Sequence, residues 1–148
     1  MRTKKNLLKY NSYQKYLKIW IDILTPKQLL FSEPIVERLR KKHELLCTSR
    51  EYNEVSKLSK IRHFDLIFVG KHGGSDKKSK LKASIERIEK LSKKIKKFEP
   101  DLVISFGSPE AARISFGLGI KHIMFCDSPH ANAVMKLTLP LIKDFTAD

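Results

Sequence analysis

The chain has 148 residues, 41% of them apolar, enough for one domain with its own core. Lys and Arg outnumber Asp and Glu by 30 to 16, a net charge of +14, yet no apolar run approaches the roughly 18 residues that a membrane span needs. Cys47 and Cys126 stand singly inside apolar runs, which excludes a C-x-x-C redox or zinc site and points to free thiols in a reducing, cytoplasmic setting.

The charge is uneven along the chain. Residues 1–18 carry six Lys/Arg and no acid, and residues 71–97 carry eleven against three acids; the remainder is balanced. A groove that tracks nucleic acid would spread its charge through the site. This pattern reads instead as a basic arm over Met1–Leu17 plus one solvated helix face, and nucleic acid is not the expected partner. The other reading is a basic binding module that meets nucleic acid or an anionic surface through those two segments.

After the arm, Lys18–Leu24 is nearly continuous in apolar character, as a strand buried on both faces should be. Asp22 interrupts it, either bonded to loop amides or pointing into a wet cleft. Thr25-Pro26 ends the strand, and Pro34 suggests a helix starting near Ser32, with Lys27–Phe31 as a loop and Ile35, Val36 and Leu39 inward. Glu44–Thr48 reads as the second strand, Glu51–Lys60 as a short helix and Phe64–Val69 as the third strand. A glycine-rich loop, Gly70-Lys71-His72-Gly73-Gly74-Ser75, follows. Asp76–Phe98 is the longest helix, with Leu81, Ile85, Ile88, Leu91, Ile95 and Phe98 on one face.

The last third repeats one grammar. Leu102–Phe106 is an apolar run that stops at Gly107-Ser108-Pro109-Glu110, and His122–Cys126 is another that stops at Asp127-Ser128-Pro129-His130. In each, a Ser cap followed by Pro fits a helix start, giving helices at Pro109–Leu118 and Pro129–Leu139. Five β-α repeats predict an α/β fold: a Rossmann-like, three-layer, doubly wound parallel sheet of five strands in order 3-2-1-4-5. Its crevice lies where the winding reverses, beside Asp22 and Gly107-Ser108.

Neither G-x-G-x-x-G nor a P-loop motif is present, so no dinucleotide site follows from motif. Ser108 is an ordinary N-cap or, with Gly107, Glu110 and the amides after it, holds a phosphate or sugar hydroxyl. Asp127 and His130 flank one helix start as an acid/base pair or sugar-binding groups, or as a cap and a solvated residue. His72 and Gly73 could complete the cluster from the glycine-rich loop, with Thr25 beside them. The five histidines show no metal-ligand spacing, so no metal and no cofactor are expected.

The segments K-I-W-I-D-I-L-T-P-K-Q, T-S-R-E-Y-N-E-V, V-G-K-H-G-G, I-S-F-G-S-P-E-A-A-R and F-C-D-S-P-H-A, spread from Lys18 to about Asp144, resemble the amino-terminal half of the archaeal and bacterial domain-of-unknown-function family 354. That family is similar to the GT-B glycosyltransferases and the UDP-N-acetylglucosamine 2-epimerases, which pair two Rossmann-like domains around a cleft. The resemblance implies an acceptor-side, amino-terminal domain with a sugar or nucleotide-sugar ligand, completed by a second domain or by self-association through the face left open. It maps Asp127 onto an acidic position of the epimerases. Ser108 stands where they carry an aspartate, and Thr25-Pro26-Lys27-Gln28 where many GT-B transferases have a glycine-rich turn. It also implies that Met1–Leu17 is an extension and that the end at Asp148 reflects a truncated frame or a gene fragment. The expected catalytic groups are Asp22, Asp127 and His130, with Thr25, His72, Gly73, Gly107, Ser108 and Glu110 binding substrate.

Overall fold

All strand pairs in the sheet are parallel. The structure, a computed structural model, describes residues 15–126 and 128–142 and the backbone of 144–145. The strands are β1 (Lys18–Asp22), β2 (Glu44–Glu51), β3 (Ile67–Lys71), β4 (Leu102–Ser105), β5 (Lys121–Met124) and a two-residue β6 (Asp144–Phe145). The helices are α1 (Pro26–Arg40), α2 (Asn53–Ile61), α3 (Lys77–Phe98), α4 (Pro109–Leu118) and α5 (Asn132–Thr138), which runs into a 3₁₀ turn at Leu139–Leu141. The five-stranded Rossmann-like sheet in order 3-2-1-4-5 is therefore present, with β6 added at its edge.

Period-two alternation sorts β1 into two cores. Ile19, Ile21 and Ile23 pack with Leu29 and Val36 of α1, Val55 of α2, Cys47 and Ile104. Trp20 faces the other way, with Leu91 and Ile95 of α3, Val69, Val103, and Ala111 and Ile114 of α4. Asp22 shares the parity of Trp20 and so lies under α3, at the carboxyl end of β1.

Three helices depart from the sequence expectations. Helix α1 begins at Pro26, not near Ser32, because Thr25 caps it and Pro26 sits in its first turn, so Lys27–Phe31 is helical. Pro34 is tolerated inside α1 because it is exposed, as is Leu30, the residue whose carbonyl loses its partner. In α3 the inward face runs Arg87, Leu91, Ile95, while Leu81 and Ile85 are 63% and 58% exposed. At about 1.5 Å per residue, α3 is far longer than the strand it follows, so its first turns overhang the sheet edge instead of packing on it. The Ser128-Pro129 segment is a turn, with Ala131 N–H donating to the Ser128 carbonyl, and α5 starts only at Asn132 without a side-chain cap. The parallel between the two S-P segments thus holds at Ser108-Pro109 and fails at Ser128-Pro129.

Candidate functional site

The carboxyl ends of β1 and β4, the first turns of α3 and α4, the loop after β3 and α5 enclose a cleft of about 800 Å³. This lies at the reversal of winding, where open α/β sheets bind ligands, and within the usual size of a ligand pocket.

Its floor is a buried polar network. Asp22 has no exposed surface. Its Oδ1 accepts from Arg87 Nη2 at 2.7 Å and from Thr48 Oγ1 at 2.7 Å; its Oδ2 accepts from Arg87 Nη1 at 3.1 Å and from Ser108 Oγ at 2.6 Å. Thr48 in turn accepts from Trp20 Nε1 at 2.7 Å, and Arg87 Nε donates to the Val69 carbonyl at 2.9 Å. Burial alone would raise the Asp22 carboxyl, but Arg87 and the hydrogen bonds from Arg87, Ser108 and Thr48 outweigh it and hold Asp22 below the usual carboxylate range. Arg87 is lifted in return: burial opposes its charge, and the charge and hydrogen bonds of Asp22 prevail.

Arg87 reaches Asp22 by crossing β3. Gly70, at φ +76°, makes the crossing possible, since a Cβ there would stand 2.9 Å from the Arg87 Cβ and Cγ. Ser108 has two duties, donating to Asp22 while its Oγ accepts the Ala111 N–H at 3.2 Å as the cap of α4. Glu110 is buried, with a carboxylate oxygen 3.6 Å from Arg87 Nη1. Gln28 ties the other wall together, accepting from Leu24 N–H and donating to the Phe106 carbonyl.

Of the expected substrate-binding residues, Thr25, His72, Gly73, Gly107 and Glu110 line the cleft, and Ser108 lies in its floor. Of the expected catalytic residues, Asp22 is sealed beneath it, with Arg87, Thr48 and Ser108 donating to its two carboxylate oxygens. His130 is exposed in the turn before α5 and lies outside the cleft lining, because the helix expected to carry it starts two residues later. Asp127 lies outside the described residues. His72 stacks on Tyr52, with ring centroids 5.1 Å apart, and its Nδ1 accepts from Gly74 N–H. Desolvation, then the charges of Arg50 and Lys80, lower its pKa, so the neutral ring carries its proton on Nε2. Gly73 lets the loop lie against α3, where a Cβ would meet Lys80 Cα at 2.6 Å.

Sequence reasoning missed Arg50, Arg87 and Gln28. For Arg87 a signal existed: it is the single arginine among nine lysines in α3, and only a guanidinium can fork onto a carboxylate. Among the described residues, no group of three His, Cys, Asp or Glu gathers in a way that could hold a metal, and no helix is long and apolar enough to cross a membrane.

Residues 17–147 match the family described as protein of unknown function (DUF354). The chain belongs to this family. An uncharacterized protein of Methanocaldococcus jannaschii is 35% identical over 126 residues, 84% of this chain and 37% of that protein, so the chain spans well under half the length of this relative. Among solved structures, the UDP-GlcNAc 2-epimerase of Neisseria meningitidis, bound to UDP-GlcNAc, superposes with a TM-score of 0.69 at 16% identity, over 88% of this chain and 40% of that one. MurG of Acinetobacter baumannii gives 0.66 at 13%, over 88% and 41%. At such identities the likeness establishes the fold alone. The chain shares the Rossmann-like sheet of GT-B glycosyltransferases and UDP-GlcNAc 2-epimerases.

Proposed function

We propose that this chain is the acceptor-side half of a two-domain sugar-nucleotide enzyme of the glycosyltransferase or epimerase kind. The observation that carries this reading is the cleft at the carboxyl ends of β1 and β4, walled by Thr25, His72, Gly73, Gly107 and Glu110. The folds it resembles include a UDP-GlcNAc 2-epimerase bound to its sugar nucleotide. In this reading Asp22 is a positioning residue that fixes Ser108, and through it the first turn of α4, by way of Arg87. His72 offers its Nε2–H to a sugar hydroxyl, and Glu110 is held by Arg87 at the cleft wall. Asp127 supplies the acid/base group, and its sequence neighbours Cys126 and Ser128 both line the cleft. The site is completed by a second domain facing this edge of the sheet.

The test is a screen of UDP-, GDP- and dTDP-sugars against the longer Methanocaldococcus jannaschii relative, read by calorimetric binding and by turnover. Binding or conversion of at least one sugar nucleotide is expected. Silence across the whole screen would end this reading.

A further inference from the structure

The cleft has a charge balance that its floor does not settle. Asp22 and Glu110 are two buried or nearly buried carboxylates, matched by two guanidiniums: Arg87, paired with both, and Arg50, which lies within electrostatic reach of both. Lys71, Lys80 and Arg113 are further cations on the lining, where Glu110 is the single acidic residue among those described. Arg50 itself is half-buried, and its Nε is fully enclosed with no hydrogen-bond partner among the described residues. An enclosed donor is out of reach of a cleft ligand, so it is the excess positive charge of the lining that calls for an anion. The cations also feel one another. Arg50, His72 and Lys80 all line the cleft, and desolvation, then the charges of Arg50 and Lys80, lower the His72 pKa.

We propose that Arg50, Lys80 and Arg113, with Lys71 at the rim, form an anion site in the cleft, and that the ligand taken there is a phosphorylated sugar. A phosphate monoester carries close to two negative charges at neutral pH and three acceptor oxygens. A carboxylate carries one charge and would leave most of this cluster unmatched. Guanidiniums bind phosphate through paired N–H donors. The inference deepens the proposed function by naming the substrate class, and it rests on that reading for the sugar; the anion site rests on the charge cluster alone.

The full 148-residue chain is titrated calorimetrically with glucose 1-phosphate, glucuronate and glucose at constant ionic strength of about 0.15 M. Glucose 1-phosphate binds tightest, and Arg50→Gln weakens it by about tenfold, the loss expected for one charged hydrogen-bonding group. The double variant Lys80→Gln/Arg113→Gln changes only exposed side chains and weakens binding similarly, which keeps the test decisive if Arg50→Gln fails to fold. Lys94→Gln/Lys97→Gln, at the far end of α3, leaves binding unchanged. Glucose 1-phosphate binding no tighter than glucose or glucuronate overturns the proposal, as does an equal loss in the Lys94/Lys97 variant, which would assign the effect to the lysine helix. Sugar-nucleotide turnover by the longer relative without phosphate binding here removes this anion site and spares the enzyme reading. Phosphate binding through Arg50 with a silent sugar-nucleotide screen does the reverse.

Discussion

Asp22 illustrates how a residue's surroundings decide its chemistry. A carboxylate at the end of a central strand, beside a crevice, has the address of a catalytic group, but all four of its hydrogen bonds come from protein donors. Removing one partner of a buried pair leaves the other charge uncompensated, which costs far more than the pair contributes. Asp22→Asn is therefore expected to lower unfolding stability by about 3–5 kcal/mol in urea denaturation. Arg87→Lys should also destabilise, because an ammonium cannot fork onto Asp22 while reaching the Val69 carbonyl. Near-native stability of Asp22→Asn would show that the network is not held as described.

At the scale of elements, the strands and their order were readable because each is a short apolar run between turn residues, and the Ser108-Pro109 start of α4 followed from cap chemistry alone. Three features were not readable. The start of α1 was hidden by Pro34, whose cost depends on whether it faces solvent. The inward face of α3 was misjudged because periodicity cannot say where a long helix leaves the sheet, so Leu81 and Ile85 counted as core when they are exposed. Arg87 was lost among lysines although it is the side chain that ties α3 to β1. The cleft-lining residues Thr25, His72, Gly73, Gly107 and Glu110 were legible from turn chemistry at strand ends; the cations that give the cleft its charge were not, since only folding brings Arg50, Lys80 and Arg113 together.

His122 makes an element-scale prediction. It joins β5 to β4 and α4, its Nε2 2.7 Å from Ser105 Oγ and its Nδ1 2.8 Å from Ser115 Oγ. Ser115 donates its one hydroxyl hydrogen to the Ala112 carbonyl, so Nδ1–H donates to Ser115 and Nε2 accepts from Ser105. Burial pushes the ring down to about 4. The unfolded chain, with an ordinary histidine near 6.5, binds the proton first as pH falls, so this stabilisation is complete above about pH 6.5 and is lost progressively toward pH 4. The loss should reach roughly 3 kcal/mol, measured as unfolding free energy against pH, and His122→Gln should flatten the curve over that window. An unchanged slope in the variant would refute this.

For the whole molecule, two opposed sets of charges shape the account. The lysines of α3 give the chain much of its basic character, and the nine of them lie exposed along most of the helix. The cleft holds a smaller set, of which Arg50 is half-buried, over a floor where Arg87 pairs with Asp22. Lysines strung along a helix attract any polyanion weakly and lose that attraction to salt, whereas cations set around one cleft discriminate by geometry. The fold places this second set at the carboxyl ends of β1 and β4, where the chain leaves for opposite faces of the sheet, so ligand binding should be local. Backbone amide chemical-shift mapping of the 148-residue chain titrated with glucose 1-phosphate tests this most directly. The account predicts shifts concentrated at Arg50, His72, Gly73, Gly107 and Glu110; shifts spread along Lys90–Lys97 instead, or none at saturating ligand, would contradict it.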